Sequence, residues 1–444
     1  MYNQEQQIHS LSSLSNATFG VTFTQAQGGL KAMEAFAAKV VAQTLADSTI
    51  QGLIGTDWTP VWGPVVYSND PGANSVIADN TMILLNSPSQ NLFVLAIAGT
   101  NIDSMYDWFK EDFSVNTRVT WRDVVGSQVD IPFLDSLAAI SGGTNTGLQI
   151  LLSMTDSNNN TMISALTTAI AGLSTKATLA VAGHSLGGAL SPTMALYLHD
   201  MQQTSSNWNS SGNISAIQAW PTAGPTPGNG SWAAYYQHVV SSETGGSYGA
   251  PLAYTSKYNT LDVIPQAWMS SSLATVPTIY EAGGITQPSG SNPAEVVTGV
   301  LAVGAVLNSV DTSNVLSVFD QVTPWTSMTG TFDTATDSAV QQKLKNAYLV
   351  IPTGLSAYTQ YFINLARFLA QMAFQHTTAY NTLLNIVDFA AEYAIIKQNN
   401  NPSGQSEADL HEAALSRKLG VNLSTLDLSA IEAVAHKVAE VAEA

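Results

Sequence analysis

Ala177-Thr-Leu-Ala-Val-Ala-Gly-His-Ser-Leu-Gly-Gly-Ala-Leu-Ser191 is the stretch on which the fold turns. The apolar run 179–182 has the character of a parallel strand covered on both faces. It runs directly into Gly183-His184-Ser185-Leu186-Gly187, and an apolar helical pattern follows through Leu190, Met194, Leu196 and Leu198. Strand, Gly-x-Ser-x-Gly and helix in that order form a nucleophile elbow, a tight turn that lifts one serine over the edge of a sheet. Glycines flank the serine because neighbouring chains crowd such a turn and a Cβ there would clash. The chain supplies its own control. Gly245-Gly246-Ser247-Tyr248-Gly249 fits the same pattern, but it follows a polar Ser-Ser-Glu-Thr stretch and precedes Ala250-Pro251, so it reads as a loop. Ser185 is therefore the candidate nucleophile.

The 444 residues suffice for one large α/β domain with insertions or for two domains. Hydrophobic residues at 45% allow a sizeable core, whereas charged residues reach only 10%, so the polar surface is built largely from Ser, Thr, Asn and Gln. A net charge of −18 with 14 Lys plus Arg argues against nucleic acid and against electrostatic docking on anionic membranes. A neutral, apolar substrate or interface is compatible with it. The chain has no cysteine, which excludes disulfides, thiol catalysis and cysteine-ligated metal. The N-terminus lacks a basic region followed by an apolar run, so no signal peptide is read, and exported and cytoplasmic locations both stay open. The longest uncharged apolar run, 296–310, is too short to span a bilayer.

Residues 1–25 are polar and read as irregular. Over 26–46, Leu30, Met33, Phe36, Ala37, Val40, Val41 and Leu45 recur at helical spacing. Runs rich in β-formers at 60–67, 75–85 and 92–98 are broken by Asn69-Asp70-Pro71-Gly72 and Ser87-Pro88-Ser89. They predict a sheet that begins with hairpin-connected strands before it turns parallel. Asp156-Ser-Asn158-Asn-Asn160 matches the opening of a calcium loop, but Thr161 and Thr167 stand where such a loop needs glycine and an acid. It reads as a solvated turn. A further strand is expected at 214–219. The segment 283–350 has the look of an insertion: a Gly/Pro/Ser stretch, an apolar helical segment at 294–319, then a polar loop to about residue 338. It suits either a movable cap or a peripheral helix buried on the core. The expected organisation is a core over 1–282, this insertion over 283–350, a return to the core over 351–398, and a helical C-terminal tail over 399–444.

A serine hydroxyl is a poor nucleophile until a base takes its proton, and that base needs an orienting acid. In hydrolases built on such an elbow the chain order is Ser, acid, His. Of seven histidines, His9, His184, His199 and His238 come too early, while His411 and His436 lie in acidic tail helices where a solvated histidine is the default. His376 sits at a break between helical patterns and is the candidate base. Among the intervening carboxylates, Asp262 directly follows a strand-like run and precedes Val263-Ile264-Pro265. On the residues alone it serves equally well as a turn-capping aspartate or as the acid. The backbone N–H of Leu186, next to the nucleophile, is one oxyanion donor by the logic of the motif.

Gly183-His-Ser-Leu-Gly-Gly-Ala-Leu190 resembles the elbow of the class 3 (fungal-type) lipases of the α/β-hydrolase superfamily. Phe93-Val-Leu-Ala-Ile-Ala-Gly-Thr100 is similar to the strand whose end supplies half of that family's oxyanion hole, with Ala98 where the family usually has Arg. Asp107-Trp108-Phe-Lys-Glu111 resembles its lid segment, which places a lid near 102–109, although Trp108 fits an ordinary core aromatic as well. Pro221-Thr-Ala-Gly-Pro-Thr-Pro-Gly-Asn229, the loop around Asp262-Val-Ile-Pro265 and the surroundings of His376 also have family counterparts. The resemblance covers roughly 60–270 and 370–385. It implies an α/β-hydrolase fold with a central, mostly parallel sheet flanked by helices. It favours Asp262 as the acid and gives Thr100 as the second oxyanion donor. It further implies a triacylglycerol lipase acting through Ser185, Asp262 and His376 on a neutral lipid or ester, at a lipid–water interface, with no metal or cofactor. Phospholipase A1 and short-chain or feruloyl esterase are the enzymatic rivals. A catalytically silent scaffold is the rival of another class.

Overall fold

Eight strands form the sheet that carries the elbow. They are β1 (Thr59–Tyr67), β2 (Asn80–Ser87), β3 (Leu92–Ile97), β4 (Ala177–His184), β5 (Ile214–Thr222), β6 (Leu252–Tyr254), β7 (Ser256–Asn259) and β8 (Trp325–Met328). Their order is β8-β7-β5-β4-β3-β2-β1, with β6 also paired to β5. β1, β2 and β3 pair antiparallel, and every pairing from β3 to β8 is parallel. The structure is a computed structural model that describes residues 1–99, 117–131, 137–242, 249–273, 275–285, 318–348 and 356–401.

Strand alternation explains why the central strands read as unbroken apolar runs. Phe93, Leu95 and Ile97 of β3 point to one face with Met82, Leu84, Leu179 and Val181. Leu92, Val94 and Ala96 point to the other with Ile83, Leu85, Ala180 and Ala182. Both faces are buried, so both registers must be apolar. The named helices are α1 (Gln4–Ser13), α2 (Gly29–Ala46), α3 (Leu186–Met201), α4 (Thr334–Tyr348), α5 (Ser356–His376), α6 (Thr378–Leu383) and α7 (Val387–Asn400). Leu190 and Met194 of α3 and Phe368 and Met372 of α5 belong to the first core. α1, α2 and α7 close the second through Ile8, Leu11, Met33, Val40, Phe389 and Tyr393.

Several segments differ from expectation. Residues 4–13 are helical rather than irregular: Asn3 and Gln6 form a capping box at the N-terminus of α1, and Ile8 and Leu11 are fully buried. Burying each such side chain is worth about 2 kcal/mol. Docking on the sheet therefore supplies what the weak apolar stripe could not. The run 75–85 is interrupted. Ser75–Val76 pairs with Phe23–Thr24 in a small separate sheet, and β2 begins only at Asn80. In place of the polar loop expected up to residue 338, Trp325–Met328 adds an edge strand to the sheet, and Trp325 stacks on Tyr258 at 4.0 Å between ring centroids. The helix α4 follows at Thr334. A buried ion pair between Arg367 Nε and Asp337 Oδ1 (2.6 Å) ties α4 to α5, and the same guanidinium donates to the carbonyls of Gly283 and Gly284. The apolar part of the expected insertion up to residue 317, and the tail from 402, lie outside the described residues.

Candidate active site

Ser185 stands between β4 and α3 with φ 60° and ψ −122°, a conformation that L-residues avoid. The turn is possible because β3, β4 and α3 meet without intervening side chains. A Cβ on Gly183 would strike the carbonyl of Gly187, and one on Gly187 would strike the carbonyl of Ile97. The N–H of Ser185 donates to the Thr222 carbonyl (3.1 Å), which fixes the elbow to the neighbouring strand β5. Leu186 opens α3, where the first backbone N–H groups have no acceptor within the helix.

Asp262 follows β7 after a two-residue turn. Its two oxygens have different work. Oδ1 accepts the backbone N–H of Ile264 (3.0 Å), and Oδ2 faces His376 Nδ1 (2.8 Å). The turn-capping and acid readings of the sequence are thus both realised, one on each oxygen. His376 Nε2 lies 2.8 Å from Ser185 Oγ, so the three side chains form one hydrogen-bonded series. A carboxylate can only accept, which puts a proton on Nδ1 of the neutral ring and leaves Nε2 to accept from the serine. All three residues are buried, Ser185 at 7%, His376 at 2% and Asp262 at 0% exposure, so these bonds are made with little competition from water. The break between helical patterns expected at His376 falls just after it. His376 is the last residue of the 21-residue helix α5, and Thr377 beyond it leaves helical geometry at φ −122° and ψ −81°.

Three residues that the sequence reading passed over or left without a role hold this series in place. His184, set aside as part of the elbow, places Nε2 2.6 Å from the backbone carbonyl of His376 and Nδ1 3.1 Å from Thr222 Oγ1. A carbonyl accepts, so Nε2 carries the proton and the ring is neutral. Burial, followed by the adjacent His376 ring, pushes its pKa down to about 3 and keeps it so. Tyr380 donates from its hydroxyl to Asp262 Oδ2 (2.9 Å) and accepts from the Asn259 N–H (2.9 Å). Burial and then the Asp262 charge raise the Tyr380 pKa well above its ordinary value, so it remains a donor. Asn259 Nδ2 donates to the Gln375 carbonyl (2.9 Å) and pins the end of α5. The spacing His376-x-x-x-Tyr380 was visible in the sequence; the contacts of His184 and Asn259 cross between elements and had no local signal.

Thr100 and the lid expected at 102–109 lie outside the described residues, as do His411 and His436 and most of the second Gly-x-Ser-x-Gly copy. Asp156 Oδ1 accepts the N–H groups of Asn158 and Asn160 in a local turn. Among the described residues, no cluster of His, Asp and Glu could hold a metal ion, and no helix is long and apolar enough to cross a membrane.

Residues 94–270 match the family model described as lipase (class 3). No curated protein matches the chain. Among solved structures, the M37 lipase superposes with a TM-score of 0.60 at 26% identity, covering 87% of this chain and 95% of that one. A triacylglyceride lipase of Rhizomucor miehei (16% identity, 49% of this chain and 63% of that one, TM-score 0.33) matches less closely. So does a triacylglycerol lipase of Penicillium expansum (20% identity, 53% and 73%, TM-score 0.32). The central, mostly parallel sheet flanked by helices is that of an α/β-hydrolase, as in the M37 match.

Proposed function

We propose that this chain, which belongs to the class 3 lipase family through residues 94–270 and is a carboxylic-ester hydrolase, cleaves triacylglycerols through Ser185, His376 and Asp262. The observation that supports the assignment is the unbroken series Asp262 Oδ2–His376 Nδ1 (2.8 Å) and His376 Nε2–Ser185 Oγ (2.8 Å) on a serine held at φ 60°. His376 takes the Ser185 proton as Oγ attacks the ester carbonyl, and Asp262 stabilises the imidazolium that results. The tetrahedral oxyanion is met by the N–H of Leu186 and by the backbone beyond Gly99, where Thr100 is the proposed second donor. Collapse expels the alcohol, which leaves with the proton held on Nε2. Water then enters, gives its proton to His376 and attacks the acyl-enzyme; the acid departs and Ser185 recovers its hydrogen. The low charge of the chain, 10% of residues, suits a neutral ester.

Hydrolysis of p-nitrophenyl esters from acetate to palmitate, and of emulsified trioleoylglycerol, tests this reading, with Ser185→Ala run beside the wild type. The expected result is long-chain and trioleoylglycerol turnover that falls about a millionfold in the variant. A preference for acetate or butyrate without trioleoylglycerol turnover replaces lipase by esterase. Faster release from the first position of a phospholipid replaces it by phospholipase A1. Equal activity in Ser185→Ala removes Ser185 from the mechanism.

A further inference from the structure

The end of β3 is held by a residue far outside the matched family segment. Gly99 donates its N–H to Asn16 Oδ1 at 3.1 Å, across 83 positions of sequence. Asn16 ends a short 3-10 turn, Leu14–Asn16, that follows α1. That turn is itself fastened from two sides. Thr18 Oγ1 meets Thr81 Oγ1 of β2 at 3.2 Å, with both residues buried, and Lys397 Nζ of α7 donates to the Asn16 carbonyl at 3.3 Å. The same ammonium lies 5.9 Å from the Phe19 ring centroid. On its other side Gly99 is pressed against the elbow: a Cβ there would sit 2.9 Å from the His184 carbonyl and 3.2 Å from Ser185 Cβ. The residue must therefore be glycine, and glycine cannot fix its own backbone. Ala98, which precedes it, has only a methyl group and is anchored through its N–H to the Thr81 carbonyl (2.9 Å). The orientation of Gly99 against the elbow needs a partner from elsewhere.

We infer that Asn16 is a positioning residue for ester hydrolysis, holding Gly99 against the His184 carbonyl and Ser185 Cβ so that the nucleophile keeps its attacking position. This makes the N-terminal helix-turn part of the catalytic apparatus, clamped from behind by Lys397. The inference rests on the proposed Ser185 chemistry. Asn16 touches neither substrate nor triad; its effect travels through one amide. Loss of the bond leaves ground-state binding intact and loosens a transition-state contact, so it lowers kcat and spares KM.

The test uses the full chain with p-nitrophenyl butyrate, with competent sites counted by fluorophosphonate titration and with an alkyl boronic acid that adds to the serine as a transition-state mimic. Asn16→Ala is expected to lower kcat per titrated site by about tenfold to a hundredfold, with KM held within about twofold. Boronate affinity should weaken by the same factor. Asn16→Asp keeps an accepting oxygen beside Lys397 and should return kcat to within about threefold of wild type, as expected for a role confined to one accepted bond. Should Asn16→Ala fail to fold, Asn16→Ser, polar but too short to reach Gly99, carries the same expectation. Unchanged kcat and boronate affinity per titrated site, or a loss that Asn16→Asp does not restore, overturns the inference. Failure of the underlying reading would appear instead in Ser185→Ala, as retained activity.

Discussion

Two buried aspartates in this protein are dressed almost identically, and only one is placed to do chemistry. Asp262 faces His376 Nδ1 at 2.8 Å and accepts from the Tyr380 hydroxyl at 2.9 Å. Asp200, at the end of α3, faces His199 Nδ1 at 2.9 Å, accepts from the Tyr235 hydroxyl at 3.1 Å and from Trp121 Nε1 at 2.7 Å. Both carboxylates are fully buried, and in both clusters burial raises the tyrosine pKa so that the phenol stays a donor. What differs is the far side of each imidazole. His376 Nε2 meets Ser185 Oγ, whereas no hydroxyl among the described residues bonds His199 Nε2. His199 is also the sequence neighbour of Asp200, while Asp262 and His376 come together across 114 positions. A carboxylate with imidazole and phenol donors is a general way to satisfy a buried charge. It gains a reaction only where a nucleophile completes the series.

That contrast can be broken at each cluster. The largest effect is expected from Asp262→Asn, which leaves the shape and removes the charge that selects the His376 tautomer. The kcat for ester hydrolysis should fall about ten-thousandfold, and a fall below tenfold would deny Asp262 its role. Asp200→Asn should act on stability alone, because its partners deliver three N–H or O–H groups to a carboxylate that an amide cannot fully replace. A loss of about 3 kcal/mol in urea unfolding is expected, with kcat per titrated site unchanged. A matching drop in kcat would mean that the Asp200 cluster communicates with the site. The smallest effects separate the tyrosines. Tyr380→Phe should lower kcat about tenfold, because the acceptor it frees is the one holding His376. Tyr235→Phe should cost about 1–2 kcal/mol of stability and leave kcat per titrated site unchanged.

Much of this was legible from local patterns. The elbow announced itself because strand, turn and helix are adjacent in sequence and the crowding of Gly183 against Gly187 acts over five residues, whereas the Ile97 carbonyl that demands glycine at 187 is brought in by the fold. The double-faced burial of β3 and β4 was written in their unbroken apolar runs, and chain order singled out His376. Asp262 was legible only in part, since the residue types that cap a turn and that orient a base are the same. Its two oxygens divide those tasks only once α5 is packed over the loop.

The sequence by itself determined the nucleophile, the strand that carries it and the parallel character of the sheet, because these follow from unbroken apolar runs and from the short-range crowding of the Gly-x-Ser-x-Gly turn. Only the tertiary structure decided that residues 4–13 are helical, since α1 draws its stability from burying Ile8 and Leu11 against the sheet rather than from its own composition. The same holds for Trp325–Met328, a polar stretch that becomes a strand because Tyr258 and β7 offer it an edge. It holds for His184, Asn259 and Asn16, whose partners lie 192, 116 and 83 positions away. Such contacts are set by how the chain closes on itself, and a hydrogen-bonding side chain carries no local mark of the partner that closure will bring.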